Sequence, residues 1–199
     1  MQGRKKPFWR DLTEIVLGAV LLTSFSRAAV AEMRYIPSGS MRPTLEVNDK
    51  LIIEKISMRA QEIARGDILV FRSVDAPPLK TLWQQSLHVL SMDGNTPLIK
   101  RVVGLPGETI AVSEGTVFIN GEPLKESYIN EPPFYEMAPV KIPDDHVFMM
   151  GDNRNNSADS HVWGPLPIEN VIGHALFRFW PPHRAGLLTA TTSTETAAP

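Results

Sequence analysis

Two serines and one lysine carry the first chemical possibility in this chain. Ser38 and Ser40 flank Gly39 in IPSGSMRPTL (36–45), and Lys100 precedes Arg101 in LIKRVV (98–103). A serine hydroxyl is a poor nucleophile until a base takes its proton. Histidine, the commonest such base, has no triad setting here. His88, His146, His161, His174 and His183 lie far apart, and no G-x-S-x-G stretch occurs. An amine pressed against apolar surface is another route to a base, because desolvation disfavours its charged form.

In a strand, neighbouring side chains face opposite ways, so Lys100 and Arg101 cannot share a side. Leu98 and Val102 flank Lys100, while Ile99 and Val103 flank Arg101. One cation then reaches solvent or a carboxylate, and the other is pushed against apolar surface. If that one is lysine it can become neutral; arginine keeps its charge. Simpler readings exist for both stretches. Ser, Gly and Pro are turn residues, and an edge strand would leave both cations solvated. A third stretch, MGDNRNNSADSHVWGPLP (150–167), is dense in turn formers. Within it Ser157 could orient an amine, and Arg154 and Asp159 could pair to brace the loop.

The elements around these residues read as strands. The segments 48–56, 65–71 and 146–150 combine apolar runs with turn residues at their borders. PLIKRVVGLPGETIAV (97–112) reads as two strands around a GLPGE turn. GTVFINGEPL (115–124) reads as a hairpin with Asn120-Gly121 at its tip, a type I′ signal. VIGHALFRFW (171–180) is a last strand, stopped by Pro181-Pro182. Residues 73–97 are irregular, with Trp83 in a short hairpin or flap. Residues 125–145 read as a Pro-rich, acidic loop, and the end of the chain as a disordered tail. The expected body is mainly β.

Composition narrows the function further. The chain has 199 residues, enough for one domain with a subdomain. A net charge of −2 supplies no basic field for nucleic acid, and no cysteine is present for a zinc or disulfide framework. At the N-terminus Arg4, Lys5, Lys6 and Arg10 precede the apolar run IVLGAVLLTSFSRAAVA (15–31). It fits either an anchor helix over about 12–31 with its N-terminus cytoplasmic, or a cleaved signal peptide with the A-x-A-like site Ala29-Val30-Ala31. Either way the body lies across a membrane.

Taken in order, SGSMRPTL (38–45), RGDILVF (65–71), IKRVVGLPGE (99–108) and MGDNRNNSADS (150–160) each resemble a sequence box of the type I signal peptidase family. A basic N-terminus and a membrane segment just before the first box resemble that family too. NRNNSADSHVWGPLP is most similar to its cyanobacterial and plant thylakoid branch. The resemblance implies a membrane-anchored serine endopeptidase that removes signal peptides from exported precursors after A-x-A-like sites, without metal or cofactor. It implies Ser40 as nucleophile, Lys100 as general base, and Ser38 with the Ser40 amide as oxyanion hole. It further implies Ser157 as the hydroxyl that orients the lysine and an Arg154–Asp159 brace behind the site. Ile36, Pro37, Met41, Leu45 and Ile99 fall at positions lining shallow pockets for small side chains before the cut. Two positions depart from the commoner pattern: Asn155 replaces Asp, and His161 replaces Arg.

The architecture implied is a single transmembrane helix (1–33 with its cytoplasmic flank), a catalytic antiparallel β core (34–108 and 146–180), a small cap subdomain (109–145) and a tail (181–199). The partners implied are signal-peptide-bearing precursors, the lipid bilayer of a plasma or thylakoid membrane, and the export machinery, with no nucleic acid. The anchor reading of 12–31 then outweighs the cleaved one. Two rivals keep parts of the pattern. A repressor-type Ser/Lys self-cleaving peptidase shares the dyad, but the membrane segment and the lack of a DNA-binding helix pair argue against it. A non-enzymatic, membrane-tethered β domain would make Ser40 and Lys100 structural.

Overall fold

The computed structural model describes residues 12–19, 31–55, 63–73 and 97–188. Residues 12–19 are helical, and among the described residues no helix is long and apolar enough to cross a membrane. Most of the expected anchor, the flap around Trp83 and the expected tail (181–199) beyond 188 lie outside the described residues; the first part of that tail is ordered, because Gly186–Leu187 pairs with Phe177 and Arg178. At its far end the anchor reading needs correction, because Ala31 opens a strand, Ala31–Tyr35 (β1). That strand pairs in register with Lys50–Glu54 (β2), Met33 opposite Ile52 and Tyr35 opposite Lys50, so sheet pairing claims the segment.

Ten further strands follow: Ile68–Phe71 (β3), Leu98–Gly104 (β4), Thr109–Ser113 (β5), Thr116–Ile119 (β6), Glu122–Pro123 (β7), Met137–Lys141 (β8), His146–Met150 (β9), Leu166–Pro167 (β10), Val171–Trp180 (β11) and Gly186–Leu187 (β12). They form two antiparallel sheets. The larger runs β1-β2-β11-β3-β4-β9-β10, with β12 added to β11; the smaller runs β7-β6-β5-β8. The body is therefore mainly β, as its turn-rich sequence implies.

The β6–β7 hairpin turns at Asn120 and Gly121, with φ of 53° and 87°, as a type I′ turn requires. Glu114 and Gly115, with φ of 48° and 74°, turn β5 into β6 in the same way. The strand β8 falls inside the segment read as a loop. Pro139 and a mostly exposed set of side chains hid it, and its position at a sheet edge explains how proline is tolerated there.

Three apolar clusters meet along β4. Ile99 packs with Ile68, Val70, Leu51 and Ile53. Val102 joins Leu69, Phe71, Val147 and Met149 on the other face. Val103 joins Ile110, Val117, Ile142 and Phe148, which tie the small sheet to the large one. Gly104 is where the sheets close on each other: a β-carbon there would press on Ile142 and lie 3.0 Å from the Phe148 side chain. This convergence encloses β4 from Ile99 to Gly104, and its two cations are buried with it.

Candidate active site

The segment carrying Ser38 and Ser40 is a tight turn sequence held from below and from one side. Met41 and Leu45 anchor it from below with no exposed surface, in the same cluster as Ile36 and Ile99. The Leu45 amide donates to the Met41 carbonyl at 2.9 Å, closing a helix-like turn. From the side, the Asn153 backbone N–H donates to Ser40 O at 3.0 Å, and its Nδ2 donates to Gly39 O at 3.1 Å. These bonds fix the backbone and leave the Ser40 hydroxyl to the strand beside it.

That hydroxyl lies 2.8 Å from Lys100 Nζ, and both residues are buried. The amine also donates to Ile99 O at 3.0 Å. Burial pushes the Lys100 amine below its ordinary value, with the nearby carboxylates of Asp159 and Asp152 pulling the other way. Ser38 is exposed, with its Oγ 3.3 Å from Ser40 Oγ. On the β9 side of β4 the ladder ends at Arg101 opposite Met150. Among the described residues no strand pairs with 98–100 on that side, beside Ser40.

Arg101 settles the question of the two cations. Its Nε donates to Asp152 Oδ1 at 2.8 Å and its Nη2 to Oδ2 at 2.7 Å; a third bond runs from Nη1 to Gly66 O. Thr44 Oγ1 donates to the same carboxylate at 2.5 Å, and the guanidinium stacks 4.0 Å from the Tyr128 ring. So both cations are buried, one compensated bidentately and one left largely without charge partners. Neither is solvated, which removes the edge-strand reading.

The brace behind the site differs from the expected Arg154–Asp159 pair. Arg154, buried, donates to Glu126 through Nη1 at 2.7 Å and Nη2 at 2.6 Å. Asp159 instead accepts from the Gly151 N–H at 2.8 Å and lies 2.7 Å from His161 Nδ1. Asp159 caps the helical turn Ser160–Trp163, which turns its carboxylate toward its own loop, while Glu126 comes from a segment distant in sequence. Ser157 also departs from expectation. Its Oγ is buried without a hydrogen-bond partner, facing Gly151 rather than bonded to Lys100.

Of the five expected pocket residues, Ile36, Met41, Leu45 and Ile99 sit inside one cluster and Pro37 alone is exposed. Met41 and Leu45 have 0 % exposure, so they are core here and form no wall of an open pocket. The turn needs that apolar anchor to hold its shape. Sequence reasoning missed Thr44, Glu126, Tyr128, Gly151 and Asp152. Of these, Thr44 and Gly151-Asp152 lay in stretches already singled out, and a glycine ahead of an acidic turn was the available signal for the latter pair. Among the described residues no three His, Asp or Glu side chains converge to hold a metal.

The family model for signal peptidase, peptidase S26, matches residues 9–180. The chain belongs to the type I signal peptidase family. Over 182 residues it is 50% identical to signal peptidase I of Leptolyngbya laminosa, covering 92% of this chain and 84% of that one. It is 48% identical over 187 residues to probable signal peptidase I-2 of Synechocystis sp., covering 94% and 80%. It is 40% identical to thylakoidal processing peptidase 1 of Arabidopsis thaliana, covering 83% of this chain and 47% of that one. The placement beside the cyanobacterial and thylakoid branch therefore holds. This signal peptidase is a hydrolase of peptide bonds, and its substrates are precursors bearing signal peptides.

Proposed function

We propose that the peptidase is a membrane-anchored Ser/Lys enzyme in which Ser40 attacks the scissile carbonyl and Lys100 takes its proton. The observation that carries this reading is the 2.8 Å separation of Lys100 Nζ and Ser40 Oγ in a buried setting. A buried amine with its pKa lowered is neutral often enough to accept the Ser40 O–H as donor. As Ser40 Oγ bonds to the carbonyl carbon, its proton passes to Lys100 Nζ. The ammonium then protonates the leaving amine, and the C–N bond breaks to leave an acyl-Ser40 ester. Water, deprotonated by the same lysine, attacks the ester and releases the peptide with Ser40 restored.

The Ser40 backbone N–H and the Ser38 hydroxyl are the donors for the tetrahedral oxyanion, each worth about 3 kcal/mol in such a role. The open side of β4 at 98–100 suits an extended substrate lying along it, with main-chain bonds for affinity. A small side chain before the cut would rest near Pro37 and over Ile36 and Ile99, as A-x-A specificity requires. In this reading the apolar run from 15, ending before Ala31, anchors the enzyme with its N-terminus cytoplasmic and the β body outside, and residues 109–145 act as a cap. The precursor's own apolar segment shares the bilayer, so tethering raises effective concentration. Export machinery in the same plane would deliver the precursors.

Cleavage of a precursor with an A-x-A signal peptide by the detergent-solubilised chain tests this, beside Ser40→Ala and Lys100→Ala. Cutting after the A-x-A site by the parent, with both folded variants inactive, supports the dyad. Cutting at the parental rate by Lys100→Ala overturns it.

A further inference from the structure

The turn that carries Ser40 also carries a cation that the chemistry does not use. The Arg42 side chain folds back over Gly39, so that a β-carbon on Gly39 would lie 3.4 Å from both Arg42 Cδ and Nε. Arg42 Nε donates to Glu46 Oε2 at 2.7 Å, an i,i+4 pair across the turn. Its Nη1 and Nη2 donate to no group among the described residues, and 52% of the side chain is exposed. The guanidinium is thus tethered at its base and open at its tip, over the residue between Ser38 and Ser40.

The charge held around this turn is unbalanced. Arg178 Nη1 donates to Thr44 O at 2.7 Å and reaches Asp49 Oδ2 at 3.3 Å. Arg184 Nη1 donates to Asp49 Oδ1 at 3.2 Å, with its Nη2 3.4 Å from Pro43 O. Together with Arg42, three guanidiniums therefore meet two carboxylates, Glu46 and the buried Asp49. The remaining cations of the site, Lys100, Arg101 and Arg154, are buried, and both arginines hold a carboxylate of their own. Arg42 is the most exposed of these six.

The course of a bound chain leads to it. With small residues before the cut resting near Pro37, Ile36 and Ile99, the chain runs along 98–100 toward Arg101. There β9 takes the edge of β4, with Met150 opposite Arg101, so the segment after the cut must leave the sheet. The turn beyond Ser40 lies at that end. Thr44 Oγ1 bonds Asp152, the carboxylate that holds Arg101, whereas Ile36 packs in the cluster of Ile99.

We propose that Arg42 is a specificity-determining residue that takes a substrate carboxylate just after the cut, so that precursors with an acidic early mature segment are cleaved in preference to basic ones. The inference rests on the reading in which Ser40 and Lys100 cut a chain lying along 98–100. A guanidinium has five N–H donors, and Glu46 occupies one of them, which leaves the Nη pair to receive both oxygens of a carboxylate. An extended chain advances about 3.4 Å per residue, so the carboxylate in reach belongs to the first few residues released. In so exposed a setting the contact makes a preference and not a requirement.

The test uses one A-x-A precursor whose second residue after the cut is Glu, Gln or Lys. The detergent-solubilised full chain is compared with Arg42→Lys, Arg42→Gln and Arg42→Glu, by kcat and KM with thermal melts alongside. The parent is expected to favour the Glu precursor over the Lys one about fivefold in kcat/KM, mostly through KM, and less so at high salt. Arg42→Lys should keep that order, Arg42→Gln level it and Arg42→Glu invert it. A Glu-to-Lys ratio that is the same in the parent, Arg42→Gln and Arg42→Glu overturns the proposal, whatever the melting temperatures. A loss shared equally by all three precursors assigns Arg42 to the turn or to a lipid surface and overturns it as well. The same three residues placed at the middle position of A-x-A give the control. A ratio that follows Arg42 there and not after the cut reverses the course of the chain and overturns the proposal. Lys100→Ala in the same series separates the two readings. If it is inactive while the ratios coincide, only the role of Arg42 falls. If it cleaves at the parental rate, the base assignment falls and the inference falls with it.

Discussion

The α-carbon of Gly151 lies against the carbonyl oxygen of Ser40, so close that a β-carbon on Gly151 would sit 2.5 Å from that oxygen and nearer still to Ser157 Oγ. Backbone-to-backbone contact of this kind has no rotamer through which to escape. It explains why a glycine ends β9: the loop carrying Asp152, Asn153 and Asp159 must come this near to seat the Ser40 turn. Gly151→Ala is therefore expected to move the nucleophile away from Lys100. Cleavage should fall by roughly two orders of magnitude, as misplacement of about 1 Å does, while stability falls by only about 1–3 kcal/mol. Precursor cleavage beside denaturant unfolding checks this; an active alanine variant would show the turn to be more yielding than its contacts indicate.

The burial of Lys100 gives a signed pH dependence. Burial lowers its pKa in the folded enzyme, so the stability tied to the neutral amine is full above the pKa of an unfolded lysine, about 10.4. That stability is lost as pH falls toward the folded value. Activity falls in the same direction, because a protonated lysine accepts nothing. Lys100→Arg should be inactive at every pH tried, since guanidinium keeps its proton, and a rate profile with folded protein checks it.

Arg101 and Asp152 are a buried pair with 1% and 0% of their side chains exposed. Removing one partner leaves the other charge uncompensated in the core. Arg101→Met is expected to cost about 3–5 kcal/mol, with Asp152→Leu on the same background restoring part of it. A double-mutant cycle by chemical unfolding measures the coupling. Additive losses would show that Thr44, Gly66 and Tyr128 hold the guanidinium without the carboxylate.

On the other side of β3, Asp67 Oδ2 lies 3.2 Å from His174 Nε2. Burial raises the Asp67 pKa, but the His174 bond and the Ala64 N–H outweigh burial and leave it lowered. A lowered carboxylate contributes stability above its unfolded pKa of about 3.9 and loses it as pH drops through the folded value. The parent should lose melting temperature over that acid range more steeply than Asp67→Asn. Parallel acid dependence in the two would remove Asp67 from the account.

What the strands would be was largely legible along the chain, because alternation and turn chemistry are local. Asn120-Gly121 needs only its own two residues to make a type I′ turn, and the apolar run of 146–150 needs only to be buried. The exceptions were also local in cause. Pro139 concealed an edge strand, and the apolar N-terminal segment masked the strand that begins at Ala31. Ser40 and Lys100 could be singled out by residue type, and four boxes in order connected them to a peptidase family.

Which partner each charge would take was decided only in three dimensions. Sequence left open whether Lys100 or Arg101 would be pressed against apolar surface. The fold buried both and gave a bidentate carboxylate to the arginine alone, through Asp152, fifty-one residues away along the chain. Arg154 paired with Glu126, twenty-eight residues before it, and not with neighbouring Asp159, which His161 took instead. Met41 and Leu45 became core beneath the turn. A side chain's type and its immediate neighbours set the local backbone. The pairing of a buried charge depends on which distant segment the packed sheets carry into reach, and that property belongs to the whole fold.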